Sequence, residues 1–479
     1  MTSLNVSTRL EFDKVALGKK HTVHAVISLE GKQIKVERKP LAIAGVIDVS
    51  GSMQGDKFKY AQRTMEKLID NMSSEDVLGG IAFGSTVNVI FPAMKMTPEN
   101  KAKAKREVEQ LGIRDNTNLS GGMLQGFEML NDAPGEVIRV LLMSDGQPNE
   151  GVSSLQGICQ LIENRTNKKV TLSTFGYGKD HAPELLQAMA RTGGGNFTYI
   201  ETPDACGAAF GRELGGLMSC VAQGVKVKVV TKPDVKILEV LNDLDVDANK
   251  DQTEATISVD DVYSEERRHL VLKLELPAMD SSGRPFKLGD VEVKYTDLIA
   301  KEPRSFETSF KIEYVKDDEV QKDADKTVLE LIATFKAAKA QEEALKMAQA
   351  GNFAGAQHVI RSAALLCDAI GTVQSKALAA DLNDNVMHRV ENQAALNAGG
   401  DKYLFSNSKA YGSMRAANRG SHHLFATKSM DAMSKAMSDE EDYSMPTMHG
   451  TVVPPVVQAV PPAPAKQDPT LSKRRTNRS

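Results

Sequence analysis

Five oxygen-bearing side chains stand out for their type and spacing. Asp48, Ser50 and Ser52 alternate in the run Asp48-Val49-Ser50-Gly51-Ser52-Met53. Thr117 lies in Asp115-Asn116-Thr117-Asn118, and Asp145 in Met143-Ser144-Asp145-Gly146. Two carboxylates and three hydroxyls present hard oxygens, with no nitrogen or sulfur among them. Such a set suits Mg²⁺ or Mn²⁺, with Ca²⁺ less favoured, rather than Zn²⁺. Two carboxylates offset a divalent charge, and octahedral positions remain for water and an incoming ligand. Singly, these residues have plainer roles: Ser50 and Ser52 as helix caps, and Asp145-Gly146 as a turn. All five at one edge of one domain favour the metal.

The elements around them decide whether they meet. The apolar runs Leu41–Ile47 and Val137–Met143 end just before Asp48 and Ser144-Asp145. From 41 to about 221 such runs alternate with helix-like segments near 57–71, 98–110, 120–130, 153–166, 182–192 and 203–220. Strands apolar on both faces, alternating with helices, predict an α/β domain with a mostly parallel sheet covered on both sides. Ligands of such sheets collect outside the carboxyl ends of the strands, where all three loops fall.

Outside that segment the pattern changes. Residues 1–39 read as strands, with Thr8, Leu10 and Phe12 alternating and a turn at Glu30-Gly31-Lys32 before Ile34 and Val36. Residues 224–316 alternate again at Val225–Val230, Leu270–Leu276 and Val291–Tyr295, with a turn cluster at Asp280-Ser281-Ser282-Gly283. The two segments are expected to form one β-sandwich into which the α/β domain 41–221 is inserted. Residues 323–397 predict a helical hairpin broken at Gly351-Asn352-Phe353. The Ser, Gly and Pro content of 398–479 predicts a disordered tail. Within that tail, Phe425, Met430, Met433 and Met437 space as an apolar stripe that a partner could receive. Ser438 precedes an acidic run, His422-His423 reads as solvated, and Lys473-Arg474-Arg475 is a short basic cluster.

Composition narrows the function. The 479 residues carry 59 Lys and Arg against 63 Asp and Glu, a net charge of −4, which argues against nucleic-acid binding by bulk charge. No run approaches the length of a membrane span. The N-terminal residues lack the apolar run of a secretory signal, and Cys159, Cys206, Cys220 and Cys367 show no paired spacing, so an intracellular, cytoplasmic setting with reduced thiols is expected. There is no Gly-x-Ser-x-Gly, P-loop or His-Glu-x-x-His, and Gly193-Gly194-Gly195 sits where a helix stops. With no acid/base pair or activated nucleophile in view, a non-enzymatic protein is expected.

Residues 41–221 resemble a von Willebrand factor A domain, and Asp48-x-Ser50-x-Ser52, Thr117 and Asp145 match its metal-ion-dependent adhesion site at all five positions. The resemblance implies a doubly wound, mostly parallel α/β sheet of Rossmann-like class, with one antiparallel edge strand over 87–91. It implies direct metal contacts from Ser50, Ser52 and, in one state, Thr117, with Asp48 and Asp145 often acting through water. It also implies that a partner's carboxylate completes the shell. Asp261–Arg268 and the strand after it resemble the β-domain that follows the A domain in bacterial proteins, in plant proteins that add a RING finger, and more distantly in inter-alpha-trypsin inhibitor heavy chains. Four scattered cysteines cannot supply a RING's two zinc sites. The expected function is a metal-dependent protein-binding scaffold. The alternatives are a structural or assembly protein with a stabilising metal, and a non-catalytic adaptor of a separate ligase or ATPase complex.

Overall fold

The computed structural model describes residues 2–33, 40–165, 169–178, 181–200, 205–281, 285–415 and 424–438. The chain starts with strands β1 (Leu4–Leu10), β2 (Lys14–Ala16) and β3 (His21–Gly31). An alternating segment follows: β4 (Leu41–Asp48), α1 (Asp56–Asn71), β5 (Val77–Phe83), β6 (Val87–Lys95), α2 (Pro98–Glu109), α3 (Leu119–Met129), β7 (Val137–Ser144), α4 (Leu155–Glu163), β8 (Val170–Tyr177), α5 (Pro183–Thr192), β9 (Gly194–Ile200) and α6 (Ala205–Met218). Next come β10 (Cys220–Thr231), β11 (Lys236–Val240), β12 (Asp245–Ala248), β13 (Glu254–Tyr263), β14 (Arg267–Leu276), β15 (Phe286–Asp297) and β16 (Glu302–Val315). The helices α7 (Lys326–Gln349), α8 (Phe353–Ile370), α9 (Val373–Asp381), α10 (Gln393–Ala395), α11 (Asp401–Ser413) and α12 (Lys428–Met437) complete the described chain.

The α/β sheet has the order β6-β5-β4-β7-β8-β9. Every residue of β4, β7 and β8 is buried, which is what helices on both faces require. β6 pairs antiparallel with β5 at the edge, and the other pairs are parallel. The carboxyl ends of the central strands β4 and β7 therefore lie side by side.

The segments before and after this sheet build the sandwich together. One sheet runs β1-β3-β14-β11 and the other β12-β13-β10-β15-β16-β2. Ile27, Leu29, Leu272 and Leu274 of the first meet Val227, Val229, Val291 and Val293 of the second in one core. The expected turn at 30–32 gives way to pairing: Gly31 ends β3 opposite Leu4, and its N–H donates to the Glu266 carbonyl at 2.9 Å. Ile34 and Val36 lie outside the described residues, as do Ser282 and Gly283 of the expected turn cluster.

The expected disordered tail 398–479 is corrected for residues 398–415 and 424–438, which are ordered; the rest of it lies outside the described residues. α11 packs on α7, where buried Asn407 donates to Gln341 Oε1 at 2.9 Å and Tyr411 donates to the Asp381 carboxylate. α12 lies along α6 on the face carrying Gly207, Gly211 and Gly215, where a Cβ would collide with the α12 backbone at Met437, Met433 and Ser429. Ser429 and Ser434 donate to the Gly215 and Ala208 carbonyls at 2.8 and 3.1 Å. Met430 and Met437 are buried there, so the methionine stripe is covered by its own chain and not offered to a partner. The Ser and Gly content that reads as disorder serves here as close helix packing. His422-His423 and Lys473-Arg474-Arg475 lie outside the described residues.

A buried ionic cluster joins these layers. Arg139, the third residue of β7, donates from Nη1 to Ser173 Oγ at 2.8 Å and to Glu213 Oε1 at 3.3 Å, and from Nη2 to Asp261 Oδ2 at 2.7 Å. Burial alone would pull its guanidinium down; Glu213 and Asp261 more than offset this and hold it above its ordinary value. Arg415, just past α11, adds bonds to Glu266 Oε1 at 3.1 Å and Asn196 Oδ1 at 2.7 Å, and donates to the Asp261 carbonyl.

Candidate metal centre

β4 delivers Asp48 to the carboxyl edge, and the chain then turns through a short 3₁₀ helix, Gly51–Met53. Ser50 stands at the N-cap of that turn but makes no capping bond with its side chain. Its Oγ instead lies 3.0 Å from Ser52 Oγ. The plain role for these serines is thus absent, and two hydroxyls are paired at the mouth of the sheet. Ser50 is buried and Ser52 exposed, so the pair runs from interior to surface.

Asp48 is fully buried and held at both oxygens. Oδ1 accepts from the Ser50 N–H at 2.9 Å, and Oδ2 from Ser144 Oγ at 2.6 Å. Ser144 Oγ accepts in turn from the Gly146 N–H at 2.8 Å, which fixes its orientation. Burial pushes the Asp48 carboxyl up to about 6 against the hydrogen bonds from Ser144 and Ser50, and the neighbouring Asp145 charge adds to the rise.

Asp145 contrasts with it. It is fully buried, and among the described residues neither carboxylate oxygen has a hydrogen-bond partner. A buried carboxylate in that state carries a large desolvation cost. The charge beside it is Lys57 in the first turn of α1, with Nζ 3.7 Å from Oδ2 and 3.3 Å from the Ser52 carbonyl. Asp145 is positioned through its backbone, whose carbonyl accepts from the Ala182 N–H at 2.9 Å.

Thr117 is buried in the loop before α3. Its N–H donates to Asn149 Oδ1 at 2.7 Å, and its carbonyl accepts from the N–H groups of Asn149 and Glu150 at 3.1 and 3.2 Å. The same loop is tied to the Asp48 loop by the Arg114 N–H, which donates to the Val49 carbonyl at 2.6 Å. Asn118, and not Thr117, caps α3 by accepting from the Gly121 N–H at 3.0 Å, so the Thr117 hydroxyl has no capping role. Hydrogen bonds thus join Asp48, Ser50 and Ser52, Lys57 links the Ser52 carbonyl to Asp145, and the backbone anchors Thr117 to the same edge.

Two carboxylates and three hydroxyls, with the Asp145 oxygens free of hydrogen bonds, fit a hard divalent cation held partly through water. Among the described residues no cluster of three or more His, Cys, Asp or Glu could hold an ion, so hydroxyls are needed for any such site. The spacing argument missed Ser144, Asn149 and Lys57. Ser144 adjoins Asp145 and was legible as a neighbour; Lys57 gave no signal, because a lysine at a helix start is ordinarily solvated.

A family model described as von Willebrand factor type A domain matches residues 43–210. The match spans β4 to α6, and the strand order and antiparallel edge described above are those of the fold it implies. Residues 43–210 are a von Willebrand factor type A domain. A second model, VWA / Hh protein intein-like, matches residues 372–439, the stretch that includes α11 and α12. The chain is 35% identical to the rat inter-alpha-trypsin inhibitor heavy chain H3 over 159 residues, which is 32% of this chain and 18% of that protein. It is 24% identical to the uncharacterized protein YfbK of Escherichia coli K12 over 212 residues, 43% of this chain and 36% of that one. The chain therefore spans well under half the length of these relatives. Beyond the A domain the fold persists in solved structures. A von Willebrand factor type A protein from Catenulispora acidiphila aligns over 79% of this chain and 89% of its own, with TM-score 0.64 and 19% identity. The ArnB paralog VWA2 from Sulfolobus acidocaldarius aligns over 84% and 98%, with TM-score 0.56 and 16% identity.

Proposed function

We propose that this protein is a non-enzymatic, metal-dependent protein-binding scaffold. Asp48, Ser50, Ser52, Thr117 and Asp145 would hold Mg²⁺ or Mn²⁺, with Ca²⁺ less favoured. The ion would supply a positive centre to which an acidic side chain of a partner binds. Ser144 and the Ser50 N–H hold Asp48 in place, and the Asn149 contacts hold the Thr117 loop at the same edge. Exposed Ser52 marks where the partner approaches. The observation that carries this reading is the buried Asp145 carboxylate with two oxygens lacking hydrogen bonds, beside a paired set of hydroxyls. A buried charge in that state is costly unless something pairs with it, and a dication with oxygen affinity is the natural complement.

The test is partner capture from an extract with and without EDTA, read by mass spectrometry, beside calorimetry with Mg²⁺ and Mn²⁺. Asp48→Ala is expected to abolish both ion binding and capture while circular dichroism stays unchanged. Thr117→Ala is expected to weaken capture more than ion binding. Capture that resists EDTA in a folded Asp48→Ala protein would overturn the reading. An intracellular, cytoplasmic setting is part of the proposal; among the described residues no helix is long and apolar enough to cross a membrane.

A further inference from the structure

We infer that Lys57 competes with the divalent cation for the Asp145 carboxylate and so sets how weakly the site holds an ion before a partner arrives. The inference rests on the metal reading above and extends it to a residue outside the five-oxygen set.

Three strand-end loops, two of them in the site, converge on this side chain. Nζ lies 3.7 Å from Asp145 Oδ2, after β7, and 3.3 Å from the Ser52 carbonyl, after β4. Its stem runs along Gly178, after β8, where φ is +76° and any Cβ would collide with Lys57 Cε. With no side chain at residue 178, the stem lies against the backbone there, and that packing helps position the ammonium. The Lys57 side chain is 22% exposed and that of Asp145 0%, so the attraction is screened at one end only.

The charges then decide the consequence. Asp48 and Asp145 bring two negative charges to a dication, and Lys57 returns one positive charge to the same edge. The ammonium and the cation draw on the same carboxylate oxygens, and they repel each other. A partner's carboxylate adds back the missing negative charge. Ion retention and partner capture are therefore coupled, each strengthening the other, as linkage requires.

The test is calorimetric titration of Mg²⁺ and Mn²⁺ into the full chain as wild type, Lys57→Met and Lys57→Arg, with melting of each in EDTA. Lys57→Met, which keeps the stem and removes the charge, is expected to bind either ion about fivefold more tightly, roughly the effect of 1 kcal/mol. In EDTA it is expected to melt below wild type, because Asp145 loses its counter-charge. Lys57→Arg should match wild type in both measurements. A residue with a purely structural role would lower both the melting temperature and the affinity, so the opposed signs are diagnostic. Wild type that binds the ions while Lys57→Met binds them equally or less tightly overturns this inference alone. Wild type that binds neither ion at millimolar concentration overturns the metal reading, and this inference with it.

Discussion

Strand β7 carries a buried charge at each end, and the two ends are built differently. Near its start, Arg139 meets Ser173, Glu213 and Asp261 within hydrogen-bond distance, with Nε alone left without a partner. Just past its finish, Asp145 has no hydrogen bond at either oxygen and a lysine 3.7 Å away. The first arrangement matches charge to charge and ties the α/β sheet to the sandwich. The second leaves a carboxylate without hydrogen bonds at the sheet edge where ligands collect, with Lys57 at 3.7 Å as its counter-charge. A buried ion whose partners come from its own chain is part of the scaffold; one whose coordination is incomplete is where an outside group belongs.

The largest test of the satisfied end is truncation after Gly400. This removes Arg415 from the cluster and strips α11 and α12, burying Tyr403, Leu404, Tyr411, Met430 and Met437, from α7 and α6. At about 1.5–3 kcal/mol for each buried apolar side chain, the loss approaches the stability of a domain. Cooperative thermal unfolding is expected to disappear; a truncated chain melting within a few degrees of the whole would show the cluster to be dispensable. Arg139→Ala is next. It leaves Glu213 and Asp261 buried without their guanidinium and should cost about 3–5 kcal/mol in urea unfolding. A loss below about 1 kcal/mol would erase the contrast drawn here.

At the other end the effects are smaller and change sign with conditions. In EDTA, Asp48 binds its proton up to a pH of about 6, against an ordinary value of 3.8. Between those values the folded state holds more protons than the unfolded one, so stability is greatest below about 4 and falls as pH rises through 6. Relative to Asp48→Asn, the wild type should lose about 2–3 kcal/mol across that window. A flat difference between the two stability profiles would show that burial does not govern this carboxyl. Smallest is Asp145→Ala. In EDTA it should shift unfolding by less than about 1 kcal/mol, because relief of the carboxylate's desolvation cost opposes loss of its attraction to Lys57. It should also abolish the gain of about 1–3 kcal/mol expected for the wild type with Mg²⁺ at up to roughly 100 times Kd. A destabilisation as large as that of Arg139→Ala would mean that Asp145 is a structural residue after all.

What could be read beforehand follows from the reach of each signal. The strands around the site are short apolar runs ending at Asp48 and Ser144, so local pattern placed the five oxygens at one edge. The insertion of the α/β sheet in the sandwich was legible because period-2 alternation resumes on both sides of it. The cluster at Arg139 was not, because a single arginine within Val137-Ile138-Arg139-Val140 gives no indication that Glu213 and Asp261 lie beside it. The segments 398–415 and 424–438 misled for a related reason. Their glycines and serines signify disorder only when nothing lies against them, and the complement of α12 is a row of glycines on α6, more than 200 positions earlier. Lys57 was equally silent, since its role depends on Gly178.

The placement of β3 has a consequence for synthesis. Its strand neighbours are β1, made just before it, and β14, whose residues 267–276 follow the whole α/β segment. While the ribosome makes the intervening chain, Val23, Ala25, Ile27 and Leu29 belong to a two-stranded hairpin with an open edge and no facing sheet. The A domain can close on itself in the meantime, since the pairings of its sheet lie within residues 41–200. The nascent protein thus carries a closed α/β sheet attached to an unfinished sandwich. The exposed edge of β3 is the surface that a chaperone would have to shield until β14 emerges.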